Sequence, residues 1–316
     1  MRLVFLGTPA FAVPSLHALA AAPDMEVAGV LCQPDRPAGR GGELRAPAVK
    51  AAAAELGLPV YQPERIKRPE ALAWLEARAP EALVVVAYGQ LLPAAVFLLP
   101  RWGAINAHAS LLPLYRGAAP IQWAIARGET VTGVTTMRIE AGLDTGPMLL
   151  RRETPIGPQE TATELSARLA ALAAELLLAT LRGLAAGTVV PAPQPAAGAT
   201  LAPLLTRADA TVTWAAAARE IYNRWRGFQP WPGIATTFRG RRLQILACRP
   251  APAPPGPERS AGAAPGTLAW TGDRLLAACG EGWLQLDAVQ IEGRRPAPGA
   301  DFARGARLQP GDRLGA

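Results

Sequence analysis

The sequence predicts an α/β protein, with a parallel sheet in its first part and a small β-barrel or sandwich in its second. Three observations carry that expectation. From Arg2 to Leu184, short apolar runs alternate with helical segments. A stretch dominated by proline and alanine, "GTVVPAPQPAAGATLAP" at Gly187–Pro203, then interrupts the alternation. Beyond it the chain turns to short strand-like pieces separated by glycine-containing turns.

"RLVFLG", Arg2–Gly7, is a short apolar run ending in glycine, as expected of a strand buried on both faces. Pro14–Ala22 follows as a helix, and "EVAGVLC", Glu26–Cys32, as a second strand. Pro47–Leu56 and Pro69–Arg78 are helical, and "ALVVVA", Ala82–Ala87, is the strongest strand signal in the chain. "GAINAHAS" is the next strand, followed by a helix over Ile121–Arg127. "TGVTTMRI", Thr132–Ile139, alternates and pairs as a hairpin with "PMLLRRETP". Thr161–Leu184 is a long Ala/Leu-rich helix capped by Thr161 or Thr163. Strands alternating with helices imply right-handed crossovers in a parallel sheet. After the Pro/Ala stretch, a helix over Ala215–Arg226 leads to strands in "ATTFRGRRLQILACR", "GTLAWTG", "RLLAACGEG" and "WLQLDAVQIEG". Arg249–Gly266 is expected to be a long mobile hairpin loop. The expected division is 1–189 for the first domain, 190–204 for a linker and 205–316 for the second.

A chain of 316 residues, 50% of them hydrophobic, can bury one large or two ordinary cores. No early segment has the build of a signal peptide, and no run of apolar residues is long enough to cross a membrane. Cys32, Cys248 and Cys279 are odd in number and far apart. That spacing argues against a disulfide framework or a zinc site, and a cytoplasmic location is expected. The formal charge of +7 is unevenly placed. Residues 190–316 carry 15 Arg against 9 Asp and Glu, whereas residues 1–189 carry 17 Lys and Arg against 16 Asp and Glu. A basic second part fits a polyanionic partner or, equally, solubility and codon bias.

Several common sites are absent from the sequence: no phosphate-binding GxxxxGK[ST], no GxSxG, no HExxH, no CxxC and no GxGxxG after the first strand. What remains is polar chemistry around one of only two histidines, in "INAHASLLPLYRGAAP". On an extended backbone Asn106, His108 and Ser110 share one face and the intervening alanines the other. An imidazole can take a proton near neutral pH, and an amide N–H can hold a developing oxyanion. A carboxylate is needed to orient the imidazole, and Asp144 in the glycine-rich "EAGLDTGPM" is the candidate. The alternatives are a hydrogen-bonded strand rim for the trio and a backbone-bonding turn for Asp144. "AGRGG", Ala38–Gly42, is a flexible loop with Arg40 at its tip, either touching a phosphate or simply solvated.

"INAHASLLPLYRGAAPIQWAI" together with "TGVTTMRIEAGLDTGPML" resembles the active-site signature of the folate-dependent formyltransferases. "FLGTPAFAVPSL", "QPDRPAGRGGEL", "VVVAYGQLLP" and "RGFQPWPG" are similar to the branch of that family that acts on initiator tRNA. The resemblance implies a Rossmann-like, mainly parallel sheet domain followed by an OB-like β-barrel. It implies transfer of a formyl group from 10-formyltetrahydrofolate to methionyl-initiator-tRNA, without a metal, by a monomer. Asn106, His108 and Asp144 then become the catalytic set. Ser110, Leu111, Leu112 and Pro113 line the folate site, and Tyr88, Gly89 and Leu91 help to hold the pterin. The loop carrying Arg36, Arg40 and Arg45 is implied to reach the tRNA acceptor end. Arg224, Arg226, Arg239, Arg241 and Arg242 form the basic cluster expected on the second domain. Gly42 and Glu43 stand where the family often has lysines. Two other readings stay open: a formyl-folate enzyme acting on a nucleotide or nucleotide-sugar amine, and a tRNA-binding protein that has lost catalysis.

Overall fold

The computed structural model describes residues 1–38, 43–195, 197–255 and 262–315, apart from the side chains of residues 38 and 43. Its contacts separate two compact units: Met1–Pro120, Val131–Pro155 and Glu164–Pro203 form one, and Ile121–Thr130, Ile156–Thr163 and Leu204–Ala316 the other. Residues 190–203 thus count with the first unit.

The first unit holds β1 (Arg2–Gly7), β2 (Glu26–Leu31), β3 (Arg36–Ala38), β4 (Glu43–Arg45), β5 (Val60–Tyr61), β6 (Ala82–Val86), β7 (Ala104–His108), β8 (Val131–Arg138) and β9 (Met148–Pro155). Its helices are α1 (Val13–Ala21), α2 (Ala48–Glu55), α3 (Pro69–Glu76) and the short α4 (Ala94–Phe97). Helices α5 (Pro120–Ala126) and α6 (Ala162–Ala185) each cross from one unit to the other along the chain. Seven strands make one sheet in the order β5-β2-β1-β6-β7-β8-β9. Pairings up to β7 are parallel, and β7–β8 and β8–β9 are antiparallel, so the sheet is mixed. Val4, Leu6, Leu31, Leu83 and Val85 lie in one core cluster with Ala71 and Leu75 of α3. Each fully buried Val or Leu among them contributes about 1.5–3 kcal/mol, which is why Leu3–Leu6 of β1 and the whole of β6 are uninterrupted apolar runs. Proline in the first turn starts both α1 and α3, where its missing N–H costs nothing. Strand order reverses between β1 and β6, which opens a crevice at their carboxyl ends.

The segment around Arg40 differs in part from a plain loop. Arg36–Ala38 and Glu43–Arg45 pair as an antiparallel ribbon, with Arg36 opposite Arg45. Strands of three residues flanked by Gly and Pro carry too little periodicity to be seen in the sequence. Arg40 itself lies outside the described residues.

The second unit contains α7 (Ala218–Gly227), β10 (Ile234–Phe238), β11 (Arg241–Ala251), β12 (Leu268–Thr271), β13 (Arg274–Ala278), β14 (Trp283–Ile291), β15 (Ala297–Pro298) and α8 (Gly299–Gly305). Its sheet runs β10-β11-β14-β13-β12, with β15 on β14, and every pairing is antiparallel. The last described residues reach both edges of this sheet. Leu314 bridges to Phe238 and Arg313 to Thr267. Gly315 N–H donates to Thr237 O at 2.9 Å, and Leu268 N–H to Asp312 O at 2.8 Å. In the expected long hairpin loop, β11 continues to Ala251, and residues 256–261 lie outside the described residues.

Candidate active site

β7 delivers Asn106 and His108 to the same side of the sheet, since alternate residues share a face. Val85 pairs with Asn106 on one side and Met137 on the other, so the strand is held along its length. The strand stops at His108, and alternation therefore does not extend to Ser110. Ser110 is fully buried and its hydroxyl donates to Leu114 O at 2.6 Å, closing the turn that carries the Leu112–Pro113 cis peptide. Buried Thr135 of β8 supports that turn: its hydroxyl donates to Ser110 O at 2.7 Å and accepts Leu112 N–H at 3.1 Å.

The buried His108 ring has two different neighbours. Nε2 lies 2.8 Å from the carbonyl oxygen of Tyr115. A carbonyl only accepts, so Nε2 carries the hydrogen. Nδ1 faces Asp144 Oδ2 at 3.6 Å, too long for a hydrogen bond but within ion-pair distance once the ring is protonated. The same oxygen accepts Gly117 N–H at 2.8 Å. A proton arriving at Nδ1 would thus sit beside a carboxylate that is already oriented. Among the described residues the Asn106 carboxamide has no hydrogen-bond partner.

Asp144 reaches this position by an indirect path. Strand β8 is antiparallel to β7, and Ile139 N–H donates to Ala104 O at 2.8 Å, at the opposite end of β7 from His108. Four residues of strand span about 13 Å, a distance the 139–147 loop must recover along the sheet. The loop closes where Arg138 N–H donates to Pro147 O at 2.9 Å. At Gly146 a Cβ would lie 1.9 Å from Arg138 O, so only glycine permits that closure. Asp144 itself has φ +51°, a conformation that a non-glycine residue adopts only with outside support.

That support comes from the Pro/Ala stretch, which the sequence does not mark as part of the site. Ala192 and Met148 exchange both backbone hydrogen bonds at 2.8 Å. Thr200 accepts Tyr115 N–H through its hydroxyl at 2.8 Å and Arg116 N–H through its carbonyl at 2.9 Å. Between these anchors Gln194 donates to Asp144 O and Gly146 O, each at 2.8 Å. Its Oε1 accepts Arg116 Nε at 3.0 Å and Nη2 at 2.7 Å.

The other expected site residues are distributed as follows. Leu112 is fully buried, while Leu111 and Pro113 are partly open. The Tyr88 ring packs in the core cluster, its hydroxyl has no hydrogen-bond partner among the described residues, and burial raises its pKa. Tyr88 therefore offers only its backbone, and its carbonyl accepts the Thr8 hydroxyl at 2.8 Å. Gly89, with φ +90°, and Leu91, 81% exposed, form the open part of that loop. Arg36 and Arg45 are exposed.

In the second unit, Arg226 is buried, with Nη1 donating to Gly157 O at 3.0 Å and Glu160 O at 2.8 Å. It presents no charge to solvent. Arg224 donates to Asp209 O at 2.7 Å, Arg239 pairs with Asp312 at 2.7 Å, and Arg241 donates to Glu292 O. Arg242 lines an open cavity of about 330 Å³ together with Arg207, Ala210, Trp231 and Pro232.

The formyl transferase family profile matches residues 1–181, and the profile of the formyl transferase C-terminal domain matches residues 204–307. The chain is 57% identical over 315 residues to the methionyl-tRNA formyltransferase of Solibacter usitatus, covering 100% of this chain and 99% of the relative. It is 46% identical over 315 residues to that of Roseiflexus castenholzii, with 100% and 99% covered. Two solved structures share the fold at low identity. WlaRD, a sugar 3N-formyl transferase determined in the presence of dTDP and 5-N-formyl-THF, has TM-score 0.65 at 14% identity over 93% of this chain and 99% of its own. HypX of Aquifex aeolicus in complex with tetrahydrofolic acid has TM-score 0.63 at 15% identity; 96% of this chain matches 47% of that one, so this chain corresponds to about half of HypX. With a family profile over more than half its length and near full-length relatives, the chain belongs to the methionyl-tRNA formyltransferases of the formyl transferase family.

Proposed function

We propose that this protein transfers the formyl group of 10-formyltetrahydrofolate to the α-amino group of methionyl-initiator-tRNA, and that Asn106, His108 and Asp144 carry the chemistry. The observation that supports these roles is the His108 ring, with Nε2–H held by Tyr115 O and Nδ1 facing Asp144 at 3.6 Å. Formyl transfer needs an amine that gives up a proton, a tetrahedral oxyanion, and a proton for the departing folate nitrogen. His108 Nδ1 takes the proton from the attacking amine and returns one to the leaving nitrogen. Asp144 favours the charged imidazole between those events. Asn106 donates to the oxyanion, and one such donor is worth about 3 kcal/mol.

Leu111, Leu112 and Pro113, held by Ser110, together with Leu91, Gly89 and the Tyr88 backbone, are assigned to the folate. An exposed leucine beside a glycine-bearing loop at a strand end suits an apolar ring system. Residues 1–189 are assigned to catalysis, 190–204 to a linker that also braces the Asp144 loop, and 205–316 to holding tRNA, in a monomeric cytoplasmic enzyme. The second sheet is read as an OB-like barrel, supported by the tail that bonds to both of its edge strands. Arg36 and Arg45, opposed in register, disfavour each other until an anion intervenes. With Arg40 they are assigned to the tRNA acceptor end. Arg242 and Arg207 beside half-exposed Trp231 are assigned to the tRNA backbone and an unstacked base.

The test is formylation by the purified protein with EDTA present, offering methionyl-initiator-tRNA, glycinamide ribonucleotide and a nucleotide amino-sugar side by side. The tRNA is expected to be the preferred acceptor. Preference for either small acceptor overturns the substrate assignment. His108→Ala is expected to lose about 10²–10⁴-fold in kcat while keeping its tRNA affinity. Near-normal turnover removes His108 from the mechanism.

A further inference from the structure

We infer that Gln194 is a positioning residue for formyl transfer, acting through Asp144. The inference rests on the catalytic reading above. A side-chain amide has two N–H donors and one carbonyl oxygen with two lone pairs. At Gln194 all four are used: both hydrogens on the carbonyls of Asp144 and Gly146, both lone pairs on the Arg116 guanidinium. One carboxamide thus clamps two loops that otherwise meet through the Gly117 N–H bond to Asp144 Oδ2. The first carries Asp144. The second runs through Tyr115, Arg116 and Gly117, whose backbone groups hold His108 Nε2 and Asp144 Oδ2.

The clamp sits where it has most leverage. The Asp144 loop departs from the wrong end of β7, and its key residue has a left-handed backbone. Hydrogen bonds to the carbonyls of residues 144 and 146 hold the backbone around that conformation, and so fix where the carboxylate points. Neighbouring bonds set the position of Gln194 itself: Ala192 on Met148 on one side, Thr200 on Tyr115 and Arg116 on the other. Gln194 is half-buried and touches no reacting atom of its own chain's catalytic set. Arg116 supplies the opposing half of the clamp. Its guanidinium fork matches the single amide oxygen with two short bonds, which a lysine at that position does not reproduce.

Gln194→Glu separates the two halves. A carboxylate still accepts from Arg116 but has no hydrogen for the carbonyls of Asp144 and Gly146. The experiment measures kcat and KM of wild type, Gln194→Glu, Asp144→Asn and the double variant with methionyl-initiator-tRNA, using enzyme excess for the slow variants. Displacing a catalytic group by an ångström costs about 10²-fold, so Gln194→Glu is expected to lower kcat by about 10- to 100-fold. KM for both substrates and the unfolding midpoint are expected to stay near wild type. In the Asp144→Asn background the same substitution is expected to cost less than about 3-fold, because the two residues act as one unit. A kcat within about 3-fold of wild type overturns the inference, and so does an equal loss in both backgrounds, which marks a general structural role. If Gln194→Glu does not fold, Gln194→Met, of similar size and without either half of the clamp, is put through the same cycle and judged by the same outcomes. A wild-type protein inactive on methionyl-tRNA defeats the functional reading instead, so the two failures are distinct.

Discussion

Gly117 shows how little separates a working site from a distorted one. Its φ is +118°, and a Cβ there would lie 2.7 Å from Ala202 O. Its N–H is the donor that Asp144 Oδ2 accepts. Gly117→Ala is therefore expected to cost about 1–3 kcal/mol of backbone strain and to push that N–H away from the carboxylate. Steady-state kinetics are expected to show kcat reduced by more than about 10-fold with tRNA affinity retained. Wild-type kcat in the alanine variant would detach this hydrogen bond from function. At this scale His108 stands out in the sequence because histidine is scarce, with two in the chain, and Asp144 is the carboxylate proposed there as its partner that the structure places 3.6 Å from it. Gln194 is not legible. A lone glutamine among prolines and alanines looks like linker, and its three partner residues lie 48 to 78 residues away. Arg226 shows the reverse error. Charge in a sequence suggests surface, yet this guanidinium is buried against backbone carbonyls.

At the scale of elements, helix and strand positions are largely legible because each has a strong period. Helices α1, α3 and α6 and strands β1, β2, β6, β8 and β9 lie within a few residues of the expected ranges. The β3–β4 ribbon and α8 are too short for periodicity to find. Long α6 is tied to the turn after α1 by Arg182, whose Nε and Nη2 both reach Asp24 at 2.8 Å. This pair holds the Asp24 carboxyl at about 2, below its ordinary 3.8. A depressed folded pKa means that the stabilisation is present above pH 4 and is lost as pH falls toward 2. Both groups are half-exposed, so the effect is expected to be small and salt-sensitive. Acid titrations of unfolding are expected to show a slightly shallower loss of stability between about pH 4 and 2 in Arg182→Ala. An unchanged acid limb at low salt would show that the pair contributes nothing.

Across the whole molecule, charge is the property that composition alone makes visible. The excess of 15 Arg over 9 acids in residues 190–316 makes that part basic, which is why the tRNA is assigned to it. Structure then divides those arginines. Arg226 is internal, Arg239 is neutralised by Asp312, and Arg207 and Arg242 face an open cavity beside Trp231. Affinity for tRNA is expected to fall with added salt. Arg242→Ala is expected to reduce the slope of log K against log salt by about 1, as for one lost phosphate contact. Arg226→Ala is expected to lower stability instead and leave the slope unchanged in whatever protein remains folded. Equal slopes for wild type and Arg242→Ala would move the tRNA surface elsewhere.

By itself the sequence determined the order of elements, the break near Gly187, the basic second part and the placing of Asn106 and His108 on one strand. These properties are local or additive: periodicity, composition and residue type need no partner to be expressed. Tertiary structure alone decided that Asp144 meets His108, from a loop that leaves the sheet at the far end of β7. It also placed Gln194 across that loop, sent the Tyr88 ring into the core and buried Arg226. Each of these outcomes depends on contacts between residues distant in the chain, made because buried polar groups must find partners wherever packing brings them.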